Sequence, residues 1–116
     1  MPSEPLARIV LRDYRDERGR RYLGARREPD GSIVIDGQDL GRGVESAFGT
    51  GLTEYEWTWR VEAAAVPAVV VALGGSDGDD PLPLLAEWSA AHGGMDPGSH
   101  LKEAAVPIAF SSRIGD

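Results

Sequence analysis

T-E-Y-E-W-T-W-R-V-E, residues 53–62, is the stretch that decides the fold. Tyr55, Trp57, Trp59 and Val61 fall on every second position, with Glu54, Glu56, Thr58, Arg60 and Glu62 between them and beside them. A period of two places one set on each face of a β-strand. The odd-numbered face is therefore the buried one, and the even-numbered face is wet. Each large ring buries about 150–250 Å². Three of them at ~25 cal/mol per Å² contribute on the order of 10–15 kcal/mol before conformational entropy is counted. That rivals the net stability of a whole domain, about 5–15 kcal/mol, so other elements must cover this face.

Working outward, residues 6–16 read as a first strand of ambiguous register. Ile9 and Leu11 point one way, Val10 and Tyr14 the other. Glu17-Arg18-Gly19-Arg20 reads as a hairpin turn. A second strand follows over 20–28. Glu28-Pro29-Asp30-Gly31 is a strong turn: proline presets φ, aspartate bonds its own backbone, and glycine closes. Ser32 to Asp36 is a third strand. At Gly37-Gln38-Asp39 the chain is expected to leave the sheet. Asp39 would then cap a helix over Leu40 to Phe48.

After the aromatic strand, Ala63 to Leu73 reads as a helix apolar nearly all round, with Pro67 in its first turn. Asp80-Pro81 opens a helix to about residue 92, with Leu84, Leu85, Trp88 and Ala91 on one face. Asp96-Pro97 opens a shorter one to about Ala105, and Val106 to Arg113 is a last strand. The order is β-β-β-α-β-α-α-α-β. That is an α+β fold, a mainly antiparallel five-stranded sheet with helices on one face. At 116 residues it is a single domain.

Charge narrows the function classes. The net charge is −7. Residues 1–27 carry eight arginines against four acids, and residues 28–116 carry four bases against fifteen acids. Cross-strand pairing of Arg8, Arg12, Arg21 and Arg26 with Glu54, Glu56 and Glu62 is the expected use of that asymmetry. Basic strands with Tyr14 and Tyr22 interleaved could also meet single-stranded nucleic acid. A pI near 4.7 argues against it. There is no cysteine, hence no disulfide or thiolate chemistry. M-P-S-E-P-L-A-R lacks the regions of a signal peptide, and no apolar run is long enough for a membrane span. A cytoplasmic location is expected, with no membrane partner.

Chemical motifs are sparse. His92, Asp96 and His100 have metal-ligand types, but Gly93, Gly94, Pro97 and Gly98 break the helix that would align them. Asp77, Asp79 and Asp80 begin like a calcium loop, yet the bidentate glutamate position is Trp88. The glycine pairs 41/43 and 49/51 make neither a dinucleotide fingerprint nor a P-loop. No cofactor, metal or catalytic residue is implied.

Three pieces, I-D-G-Q-D-L-G at 35–41, E-Y-E-W-T-W at 54–59 and V-P-I-A-F-S-S-R-I-G-D at 106–116, together resemble a group of small acidic proteins of high-GC bacteria with no assigned function. The resemblance implies one shared fold and carries no site residues. The first functional expectation is a non-catalytic acidic binding protein, an immunity or inhibitor protein for a basic toxin. It would dock through Glu54, Glu56, Glu62, Asp36 and Asp39. The second is a structural module or homodimer joined through an edge strand or a helical face, with the first strand's apolar residues as the hint. The third is an enzyme, whose mark would be a deep polar pocket lined by His92 or the paired carboxylates.

Overall fold

The computed structural model describes residues 5–115. Strands β1 (Ala7–Asp16), β2 (Gly19–Arg27), β3 (Ile33–Leu40), β4 (Glu54–Val61) and β5 (Ala109–Gly115) form one antiparallel sheet in the order β1-β2-β3-β4-β5. Helix α1 (Arg42–Phe48) joins β3 to β4. Between β4 and β5 the chain makes a 3-10 turn at Ala63–Ala65, then α2 (Val66–Ala72), α3 (Pro81–Ala91) and α4 (Gly98–Glu103). The fold is α+β, with the helices on one face of the sheet.

Register explains the core. Ile33 pairs with Val61, Ile35 with Trp59 and Gly37 with Trp57, so the odd-numbered residues of β3 and β4 share one face. Leu23 and Ala25 of β2 extend that face. Val66, Val69, Leu82, Leu85, Leu101 and Val106 close it from the helical side. Trp57 is 9% exposed and Trp59 8%. The thinnest dimension, 22 Å, matches one sheet and one helical layer.

Several boundaries differ from expectation for steric reasons. β3 does not end at Asp36 but runs on to Leu40. A Cβ on Gly37 would fall inside the Trp57 ring, so this glycine is a close-approach position within a strand, not an exit from it. Asp39 is consequently a strand residue and caps nothing. Gly41 occupies the cap position of α1 and offers no side-chain bond. β5 starts at Ala109 rather than Val106. In β1 a bulge at Leu11 settles the ambiguous register. Ile9 and Leu11 both pack against the core, while Val10 stays exposed.

The helices are also less buried than their composition implies. α2 buries Val66, Val69 and Val70, whereas Val71 faces solvent, because a single layer of helices has an outer side. α3 starts as its sequence dictates: Asp80 accepts from Leu82 N at 3.0 Å, with Pro81 behind it. Its buried face is Pro81, Leu82, Leu85 and Ser89, which keeps Leu85 of the expected face and turns Leu84, Trp88 and Ala91 away from the core. The Ser89 hydroxyl is satisfied by Met95 O at 2.8 Å, which lets that face go inward. Among the described residues no helix is long and apolar enough to cross a membrane.

Candidate functional site

The helix-free face of the sheet carries the even-numbered residues of β4. Glu54, Glu56, Thr58 and Arg60 lie there beside Gln38 and Asp36 of β3 and Arg113 of β5. Rings inward and carboxylates outward is thus the arrangement of β4. Val34 also lies on this face, yet it is only 2% exposed. Its register partners are Arg26 and Arg60, whose stems flank it.

The ion pairs are not those expected. Glu54 and Glu56 meet Arg113 Nη2, each at 3.1 Å. Gln38 Nε2 donates to Glu56 at 3.0 Å. Arg26 bonds Glu28 at 2.7 Å and Asp36 at 2.5 Å. Glu62 pairs with Arg60 at 3.1 Å, and Arg60 also reaches Asp30 at 3.0 Å. The arginines of β1 and β2 do not reach the β4 glutamates. β3 lies between β2 and β4, so the gap is about two strand spacings, roughly 10 Å. Arg26 finds Asp36 on β3 first, and Arg20 finds Asp13 on β1. Arg12 is on the other face and donates to Gly94 O at 3.2 Å.

The two neighbouring glutamates respond differently. The hydrogen bond with Glu56 raises Glu54 above the usual glutamate range, helped by burial and by the Glu56 charge. The same bond, then Arg113, lowers Glu56. In acid, Glu54 is therefore the first of the two to take up a proton. Asp36 takes its guanidinium from Arg26 instead. A shallow hollow of about 280 Å³ opens beside the pair, walled by Tyr22, Asp36, Gln38, Glu56 and Thr58. This constellation can accept a cationic side chain: two carboxylates close together, one open hollow, and an amide donor to hold them.

Asp39 does not belong to this surface. It points to the helix-covered face, half-buried, beside a small cavity of about 120 Å³ lined by Arg18, Arg21 and Val44. Its Oδ1 is buried without a hydrogen-bond partner. Burial raises its pKa, with Arg12 and Arg21 opposing.

His92, Asp96 and His100 are not brought together as ligands, and among the described residues no group of three such side chains could hold a metal. Asp96 Oδ2 accepts the indole N–H groups of Trp57 at 2.7 Å and Trp59 at 3.0 Å, while Oδ1 accepts from Gly98 N at 2.8 Å. Both imidazoles instead stack on Trp88, at 4.1 and 4.9 Å between centroids. Asp79 accepts from Ser76 N in its loop, and Asp80 caps α3.

No protein-family model, curated protein or solved structure matches this chain. Its charge layout is nonetheless informative. Residues 62–108, the crossover between β4 and β5, carry seven acids against Lys102 alone, a net −6. The rest of the chain carries twelve acids against eleven arginines. The sheet is nearly neutral, and the acidity belongs to the helical side. Arg113 and Gln38 are the partners that sequence reading overlooked. Their only signal was the antiparallel return of the last strand beside the fourth and the continuation of the third.

Proposed function

We propose that this chain is a non-catalytic binding protein for a basic protein partner, acting in the cytoplasm as an inhibitor or immunity protein of a basic toxin. The observation that carries the reading is the Glu54–Glu56 pair on a sheet face that no helix covers among the described residues. The pair is held by a guanidinium that is itself largely in solvent: the Arg113 side chain is 64% exposed. Arg113 occupies the place that a partner's arginine would take. Asp36, opposite Thr58, and Glu62, beyond Arg60, continue the row toward one end, and the hollow by Tyr22 and Gln38 has room for a second side chain. The acidic crossover adds a long-range field that speeds encounter with a basic body, more than it tightens the final complex.

The test is co-expression with the protein encoded by the neighbouring gene. A toxic neighbour that is neutralised by this chain, and no longer neutralised by Glu54→Arg with Glu56→Arg, is the expected result. Arg113→Ala should bind the neighbour more tightly, since it frees the carboxylates. A neighbour that is harmless and does not bind, or binding indifferent to both variants, overturns the reading.

A further inference from the structure

The two edges of the sheet are unlike. β1 carries the protections that soluble sheets use at their edges: a bulge at Leu11 and charges at Arg8, Arg12, Asp13 and Arg15. α3 also packs against it. β5 is less protected. It runs seven residues, A-F-S-S-R-I-G, with no proline, no bulge and a single charge. Six of the seven are exposed. Phe110 is 50% exposed and Ile114 42%. Both lie on the face that carries Trp57 and Trp59.

We propose that β5 pairs antiparallel with β5 of a second copy, about a two-fold axis through Ser112, to give a continuous ten-stranded sheet. This rests on the edge strand alone and is independent of the acidic-face reading above. The strand is its own complement in that register. Phe110 falls opposite Ile114 of the other copy, twice. Ser112 meets Ser112, and Arg113 meets Ser111. Paired positions share a face in an antiparallel ladder, so the half-exposed apolar side chains cover one another. Arg113 keeps its own Glu54 and Glu56, so no bare charge is buried. Neighbouring registers are worse. Moving the axis to Arg113 sets two guanidiniums face to face, which is destabilising. Moving it to Ser111 leaves Phe110 opposite serine. The interface is a strand pair with a small apolar side, below the size of an obligate dimer, so a reversible association is implied.

The chain has no cysteine, which makes the test direct. Sedimentation of the full chain should show mass rising with concentration from 12.4 kDa toward twice that value. Ser112→Lys opposes two ammonium groups at the axis and should abolish the rise while the circular dichroism spectrum stays unchanged. Ser112→Cys should form a disulfide-linked dimer on mild oxidation, because the Cα atoms of directly opposed residues lie about 4.5–5.5 Å apart, within the roughly 4.4–6.8 Å that a disulfide spans. Ser111→Cys should cross-link far more slowly, since its own copy is a diagonal neighbour at about 7–8 Å. A chain that stays at 12.4 kDa at high concentration overturns the proposal. So does a dimer that survives Ser112→Lys, or equal cross-linking at positions 111 and 112.

Discussion

The indole Nε1 of Trp57 lies 2.7 Å from Oδ2 of Asp96, across 39 residues of chain. Trp59 donates to the same oxygen at 3.0 Å. Two neighbouring core rings of β4 thus hang their only polar atoms on one carboxylate at the start of α4. The geometry follows from the strand period: i and i+2 residues share a face, so their N–H groups can converge. Asp96 also receives Gly98 N, which orients the carboxylate and opens the helix. One side chain thereby ties the helical crossover to the sheet.

Removing that tie should be costly. Asp96→Ala leaves two largely buried indole donors without an acceptor. Hydrogen bonds to a charged group contribute about 1.5–3 kcal/mol each, and partial access of water lowers the sum to about 2–4 kcal/mol. Asp96→Asn can serve either the indoles or Gly98 N but not all three, because one of its two ends donates. It should lose about half as much. Urea unfolding followed by tryptophan fluorescence measures both, and an Ala variant within experimental error of the parent would refute the role. Chelators should not move either transition.

The two indoles each rest on a glycine. A Cβ at Gly37 would enter the Trp57 ring, and a Cβ at Gly98 would enter the Trp59 ring. Gly37→Ala and Gly98→Ala should each destabilise by about 1–3 kcal/mol through overpacking. Gly74→Ala is no control, since its φ is +81° and strain would act there without contact. Gly43→Ala is the fair comparison: it lies in a helix and would meet only ordinary contacts near Arg18. It should be neutral to mildly stabilising. Thermal melts of the three variants rank them.

Residues 53–62 were legible because a single strand states its own two faces. So were Asp80-Pro81 and Pro29-Asp30-Gly31, whose capping and turn bonds close within a few residues. What escaped was long-range. Asp96 reads as a helix start from its neighbours, and nothing local announces that its other oxygen serves two tryptophans far upstream. Gly37 reads as a breaker until the ring opposite it is known. Asp39 inherited the error, since a strand ending at Asp36 makes it a cap and one ending at Leu40 turns it toward the helices. The arginine pairings failed for want of strand order: with β3 between β2 and β4, the acids of β3 intercept.

Two aspartates should shift stability with pH in opposite directions. Hydrogen bonds from the Ser32 hydroxyl and N–H, with Arg60 nearby, hold Asp30 below its ordinary value of 3.8. The unfolded chain then binds the extra proton. The Asp30 contribution is present above the ordinary value and is lost as pH falls through the folded one. Burial lifts Asp39 above 3.8, so here the folded chain binds the extra proton. Its penalty is absent below the ordinary value and grows as pH rises through the folded one. Asp30→Asn should therefore lower the melting temperature at neutral pH, with a deficit that shrinks in acid. Asp39→Asn should raise it at neutral pH, with a gain that also shrinks in acid. Melting curves across an acid series check both signs.

Arg113 governs how readily the Glu54–Glu56 pair takes up a proton. Arg113 lowers both glutamates, through its charge on Glu54 and through hydrogen bond and charge on Glu56. Arg113→Gln removes that charge and keeps a polar side chain. Both carboxyl pKa values should then rise in a carbon-detected NMR titration. Glu56 should rise more, because Arg113 donates to it through both Nε and Nη2 and to Glu54 through Nη2 alone. Gln38→Ala removes only a neutral donor, so its effect should be smaller and in the same direction. A cationic partner docking in place of Arg113 must push the other way, drawing both values down as it binds. If Arg113→Gln leaves the pair unmoved, the guanidinium is a solvent-borne bystander, and the opening for a partner's arginine goes with it.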